Sequence, residues 1–198
     1  MSVFKLLDHV RTTVLFVPGL RSSVAVQRAA LVARDQPRVH TVAVPPGSEL
    51  DLTARIEALE REARKVDGPL HLVTHGTGAL VAAHWAQRTR RPVTAALLAA
   101  PPDFERPLPA GYPSLAQLEA AGWLPVPGTP LPFTSIVAAS RNDPLASFLR
   151  VAALAARWGS RLLDLGNVGH LEPAAANRPW PRGGELLTTL MLSAPQRA

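Results

Sequence analysis

The sequence predicts an α/β protein with one sheet of about six mostly parallel strands and helices on both faces. Short apolar runs rich in β-branched residues alternate with segments of helical periodicity, which is the pattern of repeated β-α-β units. Pro-Gly, Pro-Pro-Gly and Gly-Pro sequences mark the ends of several of these segments. A chain of 198 residues suits one domain better than two, so we expect a single domain over residues 1–198.

The expected strands and helices alternate along the chain. Strands are expected at residues 13–17, 39–44, 70–73, 93–100, 135–139 and 161–165. Helices are expected at residues 24–34, 51–65, 79–88, 114–121, 145–158 and 185–192. Asp51 is expected to cap the second helix, because its carboxylate can accept a hydrogen bond from a free amide of the first turn. The buried face of that helix is expected to carry Leu52, Ile56, Leu59 and Ala63.

The composition excludes several classes of protein. Apolar residues make up 47% of the chain, which is enough to build a core. The sequence has no cysteine, which excludes a disulfide framework, a thiolate nucleophile and a cysteine-based zinc site. No apolar run reaches the roughly 18 residues of a membrane span, and the segment from Met1 to Arg11 lacks the features of a signal peptide. We therefore expect a cytoplasmic protein that does not associate with membranes.

The net charge of +6 does not by itself indicate nucleic-acid binding. Proteins that bind nucleic acids gather Lys and Arg in a stripe that follows the phosphates. Here only Arg88, Arg90 and Arg91 lie close together, and the other basic residues are mixed with Asp and Glu. We therefore expect a solvated, arginine-rich surface and no nucleic-acid partner, and the sequence leaves the oligomeric state open.

Residues 101–132 form a long connection between the fourth and fifth expected strands. This segment holds nine of the twenty prolines of the chain. Connections of this length in compact domains usually carry function or move. We expect a lid or a wall of the substrate pocket, with Phe104 and Tyr112 among the residues that face a ligand. A tolerated surface insertion is the alternative.

Small and polar residues follow three of the expected strands, at the edge where a parallel sheet binds its ligands. The third strand is followed by His75-Gly76-Thr77-Gly78, the fifth by Asn142-Asp143 and the sixth by Gly169-His170. In the α/β-hydrolase fold the nucleophile, the acid and the histidine follow one another in this chain order. The order favours position 76 as the nucleophile position, Asp143 as the acid and His170 as the base.

A set of short motifs runs in order along almost the whole chain. They are Val17-Pro18-Gly19, Val73-Thr74-His75-x-Thr77-Gly78, Ala99-Ala100-Pro101-Pro102, Ser140-Arg141-Asn142-Asp143-Pro144, Trp158-Gly159, Gly169-His170 and Trp180-Pro181. Through these motifs the chain resembles the small serine hydrolases related to the retinoblastoma-binding protein hydrolase. The resemblance implies an α/β-hydrolase fold, a Ser-His-Asp triad, a small ester, thioester or amide as acyl substrate, and no cofactor.

The resemblance also implies a role for each matching residue. Asp143 would orient His170, and His170 would take a proton from the nucleophile and return it to the leaving group. The backbone N–H groups of Thr77 and Leu20 would form the oxyanion hole. Substrate contacts are expected from Gly19, Arg21, Ser22, His75, Phe104 and Tyr112, and no metal site is expected.

The main departure from the family is Gly76, which stands where the family has its nucleophilic serine. Without a hydroxyl at this position no acyl-enzyme can form there. Glycine suits the turn, because the nucleophile of such an elbow has a positive φ that costs other residues roughly 1–3 kcal/mol. Gly76 is compatible both with an inactivating substitution made by an experimenter and with natural loss. Thr77 is a less favoured nucleophile, because that register would put His75 where a small residue must pack.

Three functions stay open on the sequence alone. The first is a serine hydrolase with its nucleophile replaced. The second is a lyase, cyclase or isomerase that uses His170 with Asp143 as a general base. The third is a catalytically inactive protein that binds a ligand or a protein partner. Two residues also have structural interpretations, since Asp143 could be a helix N-cap before Pro144 and His75 could pack beside the turn.

Overall fold

The computed structural model describes residues 12–20 and 39–171, which contain one six-stranded sheet. The strands are β1 (Thr13–Val17), β2 (Val39–Thr41), β3 (Leu70–His75), β4 (Ala95–Ala99), β5 (Ser135–Ala139) and β6 (Arg161–Asp164). They lie in the order β2-β1-β3-β4-β5-β6, and every neighbouring pair is parallel. The predicted parallel α/β architecture is confirmed.

Several strand ends differ from the predictions, including those of β2, β3 and β4. β2 ends at Thr41, although Val42 still donates its N–H to the carbonyl oxygen of Phe16 at 2.9 Å. β3 runs two residues further than predicted, because His75 still pairs with Ala99 in the ladder with β4. β4 stops before Ala100, which has a positive φ of 47°. The longer β3 carries the sheet directly up to Gly76.

Four helices lie within the described residues, and their predicted positions are largely correct. They are α1 (Leu52–Arg64), α2 (Thr77–Ala86), α3 (Leu115–Ala120) and α4 (Phe148–Arg157). Asp51 caps α1 as predicted, because its Oδ1 accepts an N–H of the first turn at 3.0 Å. α4 begins three residues later than predicted, because Ser147 is its cap. The predicted helices at 24–34 and 185–192 lie outside the described residues.

Both faces of the sheet are buried. On β1, Leu15 and Val17 point to one face and Val14 and Phe16 to the other, and all four are at most 2% exposed. All four described helices contribute side chains to the cluster that covers the face of Leu15. None of these helices is long and apolar enough to cross a membrane.

The connection formed by residues 101–132 contributes to the main core. Phe104, Leu118 and Trp123 are each at most 1% exposed. The rings of Phe104 and Trp123 meet edge to face, with centroids 5.3 Å apart. Trp123 also donates its Nε1–H to the carbonyl oxygen of Leu50 at 2.7 Å. These contacts join the connection to the segment that precedes α1.

Helix α2 approaches β1 more closely than any side chain at position 78 would permit. A Cβ built on Gly78 would lie 2.1 Å from the carbonyl oxygen of Val17 and 3.1 Å from that of Pro18. The first distance is far inside van der Waals contact, and both atoms belong to the backbone. Glycine at position 78 is therefore a requirement of this packing.

Replacing Gly78 with alanine is expected to destabilise the fold by about 1–3 kcal/mol or more, because the backbone must shift to relieve the overlap. Gly128→Ala is the matched control, since a Cβ there would meet only the side chain of Arg157 at 3.6 Å. That control should stay within about 0.5 kcal/mol of the unsubstituted chain. Urea unfolding followed by circular dichroism measures both changes. Equal midpoints for the two variants would contradict the packing role of Gly78.

Candidate active site

The turn from β3 into α2 presents residue 76 at the carboxyl edge of the sheet. Gly76 has φ 53° and ψ −124°, a combination that other L residues adopt only under strain. Its N–H donates to the carbonyl oxygen of Ala99 at 2.9 Å, and its own carbonyl accepts the N–H of Ala79 at 3.0 Å. The first bond extends the sheet and the second starts the helix. Gly76 is therefore the residue at which the strand becomes a helix.

His170 and Asp143 form a buried, hydrogen-bonded pair at the same edge. Nδ1 of His170 lies 2.8 Å from Oδ2 and 3.0 Å from Oδ1 of Asp143. The two side chains are 10% and 2% exposed, respectively. A carboxylate only accepts hydrogen bonds, so Nδ1 carries the proton and Nε2 of the neutral imidazole keeps its lone pair. The pair can therefore take up a proton at Nε2.

The imidazole of His170 lies directly beside residue 76. A Cβ built on Gly76 would lie 3.1 Å from Nε2 of His170 and 4.0 Å from the Cα of Gly19. A side chain at position 76 would therefore lie close to both the imidazole and the loop after β1. Thr77 is the first residue of α2, and its buried hydroxyl has no hydrogen-bond partner among the described residues. Position 76 therefore lies beside Nε2 of His170, and its role as the nucleophile position stays a prediction.

His75 holds the backbone of His170. Its Nε2–H donates to the carbonyl oxygen of His170 at 2.7 Å, and the two rings lie 4.9 Å apart between centroids. Burial, assisted by the neighbouring His170, lowers the pKa of His75 to about 4, so this imidazole is neutral at neutral pH. His75 was expected to contact the substrate. The observed contact agrees with the interpretation that it packs beside the turn, and its contact with a substrate stays a prediction.

A second network holds the segment that carries His170. Oδ1 of Asn142 accepts the N–H of Gly169 at 2.7 Å and the hydroxyl of Ser140 at 2.9 Å. The hydroxyl oxygen of Ser140 also accepts the N–H of Val168 at 3.1 Å. These bonds join the loop after β5 to the loop after β6. Sequence reasoning missed this network, although Ser140, Asn142 and Gly169 all stand in the motifs that follow the two strands.

The residue after His170 adopts a backbone conformation that is unusual for its type. Leu171 has a positive φ of 55°, which costs a residue with a Cβ about 1–2 kcal/mol. Its side chain is fully buried in the core on the face of Phe16, and this burial offsets the cost. The packing of Leu171 therefore holds the turn that carries His170.

The loop after β1 is anchored by the buried residue Arg55 of α1. Its guanidinium donates to the carbonyl oxygen of Pro18 and, at 3.2 Å, to that of Glu49. Burial lowers the pKa of Arg55 to about 10, which leaves it charged at neutral pH. Leu20, the predicted oxyanion-hole residue of this loop, follows two residues after Pro18. Sequence reasoning missed Arg55, because a charged residue on a helix ordinarily indicates an exposed position.

The interpretation of Asp143 as a helix N-cap is wrong. Ser147 caps α4 by accepting the N–H of Arg150 at 3.4 Å. Asp143 accepts the N–H of Leu145 at 2.8 Å within the preceding loop, and both of its oxygens also face His170. The carboxylate therefore accepts hydrogen bonds from the histidine and from the loop, and it does not cap the helix.

The other predicted substrate contacts fall into two groups. Arg21 and Ser22 lie outside the described residues. Phe104 is packed in the core, and Tyr112 is half-buried in a turn where its N–H donates to the carbonyl oxygen of Pro109 at 3.2 Å. Contact of Phe104 or Tyr112 with a ligand stays a prediction.

Comparison with known proteins gives one family and a set of related structures. The sequence model of a family described as serine hydrolase matches residues 14–189. A YdeN-like hydrolase from Pectobacterium atrosepticum is 27% identical, with a TM-score of 0.77 over 97% of this chain and 98% of that one. The ydeN gene product of B. subtilis is 18% identical, with a TM-score of 0.69 over 91% and 99% of the two chains.

A further structural neighbour is Est1E from Butyrivibrio proteoclasticus, whose structure holds ferulic acid. It is 13% identical, with a TM-score of 0.67 over 94% of this chain and 90% of that one. At this identity the similarity concerns the fold alone. No curated protein matches the sequence. The structural neighbours confirm the predicted α/β-hydrolase fold.

Acid is expected to destabilise the fold through His75. An unfolded histidine titrates near pH 6.5, whereas burial holds the pKa of His75 at about 4, so the unfolded state takes up the proton first as the pH falls. Above pH 6.5 His75 does not lower the free energy of unfolding. Between pH 6.5 and 4 it lowers this free energy by an amount on the order of 3 kcal/mol.

Urea unfolding across this pH range tests the assignment. His75→Gln should lose less stability on acidification than the unsubstituted chain, because glutamine does not titrate. His40→Gln, at an exposed position of β2, is the control and should leave the pH dependence unchanged. Parallel stability curves for the His75 variant and the unsubstituted chain would show that His75 is not the group involved.

Proposed function

The chain belongs to the serine hydrolase family, and from this membership we propose that its site hydrolyses a small ester, thioester or amide. One observation carries the proposal. Nδ1 of His170 is bonded to Asp143, while Nε2 lies 3.1 Å from the point where a side chain of residue 76 would begin. Position 76 is then the nucleophile position, and Gly76 replaces its serine. The closer relationship to the retinoblastoma-binding protein hydrolase stays a prediction from the sequence motifs.

A hydroxyl at position 76 would let this site carry out acyl transfer. Nε2 of His170 would take the hydroxyl proton while the oxygen attacks the acyl carbon, and Asp143 would stabilise the imidazolium that forms. The imidazolium would then give the proton to the leaving group. In the second half of the reaction His170 would activate water to release the acid.

Two backbone amides are proposed to stabilise the oxyanion of the tetrahedral intermediate. The N–H of Thr77 belongs to the first residue of α2, where helical amides lack partners within the helix and the helix dipole favours negative charge. The N–H of Leu20 belongs to the loop whose Gly19 Cα lies 4.0 Å from the Cβ position of residue 76. The proximity of this loop to the turn supports the assignment.

Gly76→Ser is expected to raise the hydrolysis of p-nitrophenyl acetate by about 10²-fold or more, because it supplies a nucleophile beside the base. Initial rates of p-nitrophenolate release measure the gain. Gly76→Ala adds the Cβ without the hydroxyl and should give no gain. Adding His170→Ala to the serine variant should remove the gain. If neither the unsubstituted chain nor a folded Gly76→Ser variant hydrolyses the ester faster than buffer alone, the proposed function is refuted.

The same two substitutions at position 76 are expected to lower the free energy of unfolding by about 1–3 kcal/mol each, because both residues are strained at positive φ. The native φ is 53°, and a Cβ would lie 3.1 Å from His170, so the imidazole must also move slightly. The urea unfolding midpoints of the unsubstituted chain, Gly76→Ser and Gly76→Ala measure this loss of stability. If serine and alanine left the midpoint unchanged, the strain assigned to this turn would be absent.

A further inference from the structure

Resting on the proposed function, we propose that the chain with glycine at position 76 hydrolyses acyl substrates by direct attack of water. His170 activates that water, and no acyl-enzyme forms. The juxtaposition that carries the inference is a base with an available lone pair beside a residue that has no side chain.

The space beside Nε2 of His170 suits a water molecule. A Cβ at position 76 would lie 3.1 Å from Nε2, and glycine places no side-chain atom on that side of the imidazole. A water oxygen that donates a hydrogen bond to Nε2 lies about 2.9 Å from that nitrogen, and it must also keep van der Waals distance from the Cα of Gly76, so it lies further out than a Cβ would. On the far side the neighbour is the Cα of Gly19 at 4.0 Å, which also carries no side chain. Because neither Gly76 nor Gly19 has a side chain, no side-chain atom of these two residues prevents a water from binding to Nε2.

The groups around His170 keep its Nε2 ready to accept a proton. The carboxylate of Asp143, 2.8 Å from Nδ1, fixes the tautomer and stabilises the imidazolium once it forms. The neighbouring imidazole of His75 is neutral, because burial lowers its pKa to about 4, so it does not oppose the new positive charge. The Nε2–H of His75 also donates a hydrogen bond to the carbonyl oxygen of His170 at 2.7 Å. The tautomer and the position of His170 are thus both set without residue 76.

The reaction balances with water as the only co-reactant. The water oxygen forms a bond to the acyl carbon, its proton moves to Nε2 of His170, and the carbonyl electron pair becomes an oxyanion. That oxyanion is the charge that the amides of Thr77 and Leu20 would stabilise. When the oxyanion collapses, the bond to the leaving group breaks and the imidazolium returns its proton to that group. The products are a carboxylic acid and an alcohol, thiol or amine.

The test uses the unsubstituted chain with p-nitrophenyl acetate. His170→Ala is expected to lower its rate by about 10²-fold or more, since general-base catalysis is lost. Gly76→Ala should lower the rate similarly, because its methyl group, 3.1 Å from Nε2, would crowd the water out of its hydrogen bond to that nitrogen. His40→Ala removes an exposed imidazole that could react with the ester nonspecifically, and it should leave the rate unchanged. Mass spectrometry during turnover should find no acetylated protein, whereas Gly76→Ser should accumulate one acetyl group.

Each result decides the inference. A rate that survives His170→Ala, or a transient acetyl group on the unsubstituted chain, overturns direct attack by water. Hydrolysis by Gly76→Ser but not by the unsubstituted chain overturns it as well, yet leaves the proposed function intact. No hydrolysis by either chain refutes the proposed function itself. Should Gly76→Ala fail to fold, the His170 variant and the mass measurement still decide the question.

Discussion

The close contact between α2 and β1 determines where every other part of the site can lie. Because Gly78 has no Cβ, the first turn of the helix can approach the carbonyl oxygens of Val17 and Pro18. The amide of Gly76 meanwhile completes the ladder at Ala99. These contacts fix residue 76 at the sheet edge where the loops after β1, β5 and β6 meet. The separation between residue 76 and His170 follows from this arrangement.

His170 is positioned almost entirely by neutral groups. His75 holds its carbonyl, and the amide of Asn142 holds the N–H of the preceding residue. Asp143 is the charged partner, and it acts through both of its oxygens. In a site of low dielectric, one carboxylate beside an imidazole exerts a strong field, and a positive charge nearby would weaken its effect on the imidazolium. Neutral hydrogen bonds therefore set the geometry while a single carboxylate sets the electrostatics.

The sequence predicts the strands and the loops after them, because each depends on local apolar patterns and turn residues. Strand ends are less predictable, as β3 shows, since its last two residues are held by pairing with β4 and not by their own composition. Hydrogen bonds between distant segments leave no local pattern, so the contacts of Asn142 and Arg55 could not be read in advance. The pairing of Asp143 with His170 was predicted only through chain order and family resemblance.

The left-handed turn at Gly76 has an evolutionary consequence. Glycine is the least strained residue at this φ, so a substitution of serine by glycine at position 76 raises the stability of the fold. Such a substitution therefore needs no compensating change elsewhere in the chain. The reverse substitution, from glycine to serine, lowers the stability because serine at this φ is strained. The rest of the fold must then be stable enough to tolerate this loss. Ancestral reconstruction across such chains should therefore find that recovery of a hydroxyl follows earlier stabilising substitutions, and that its loss needs none.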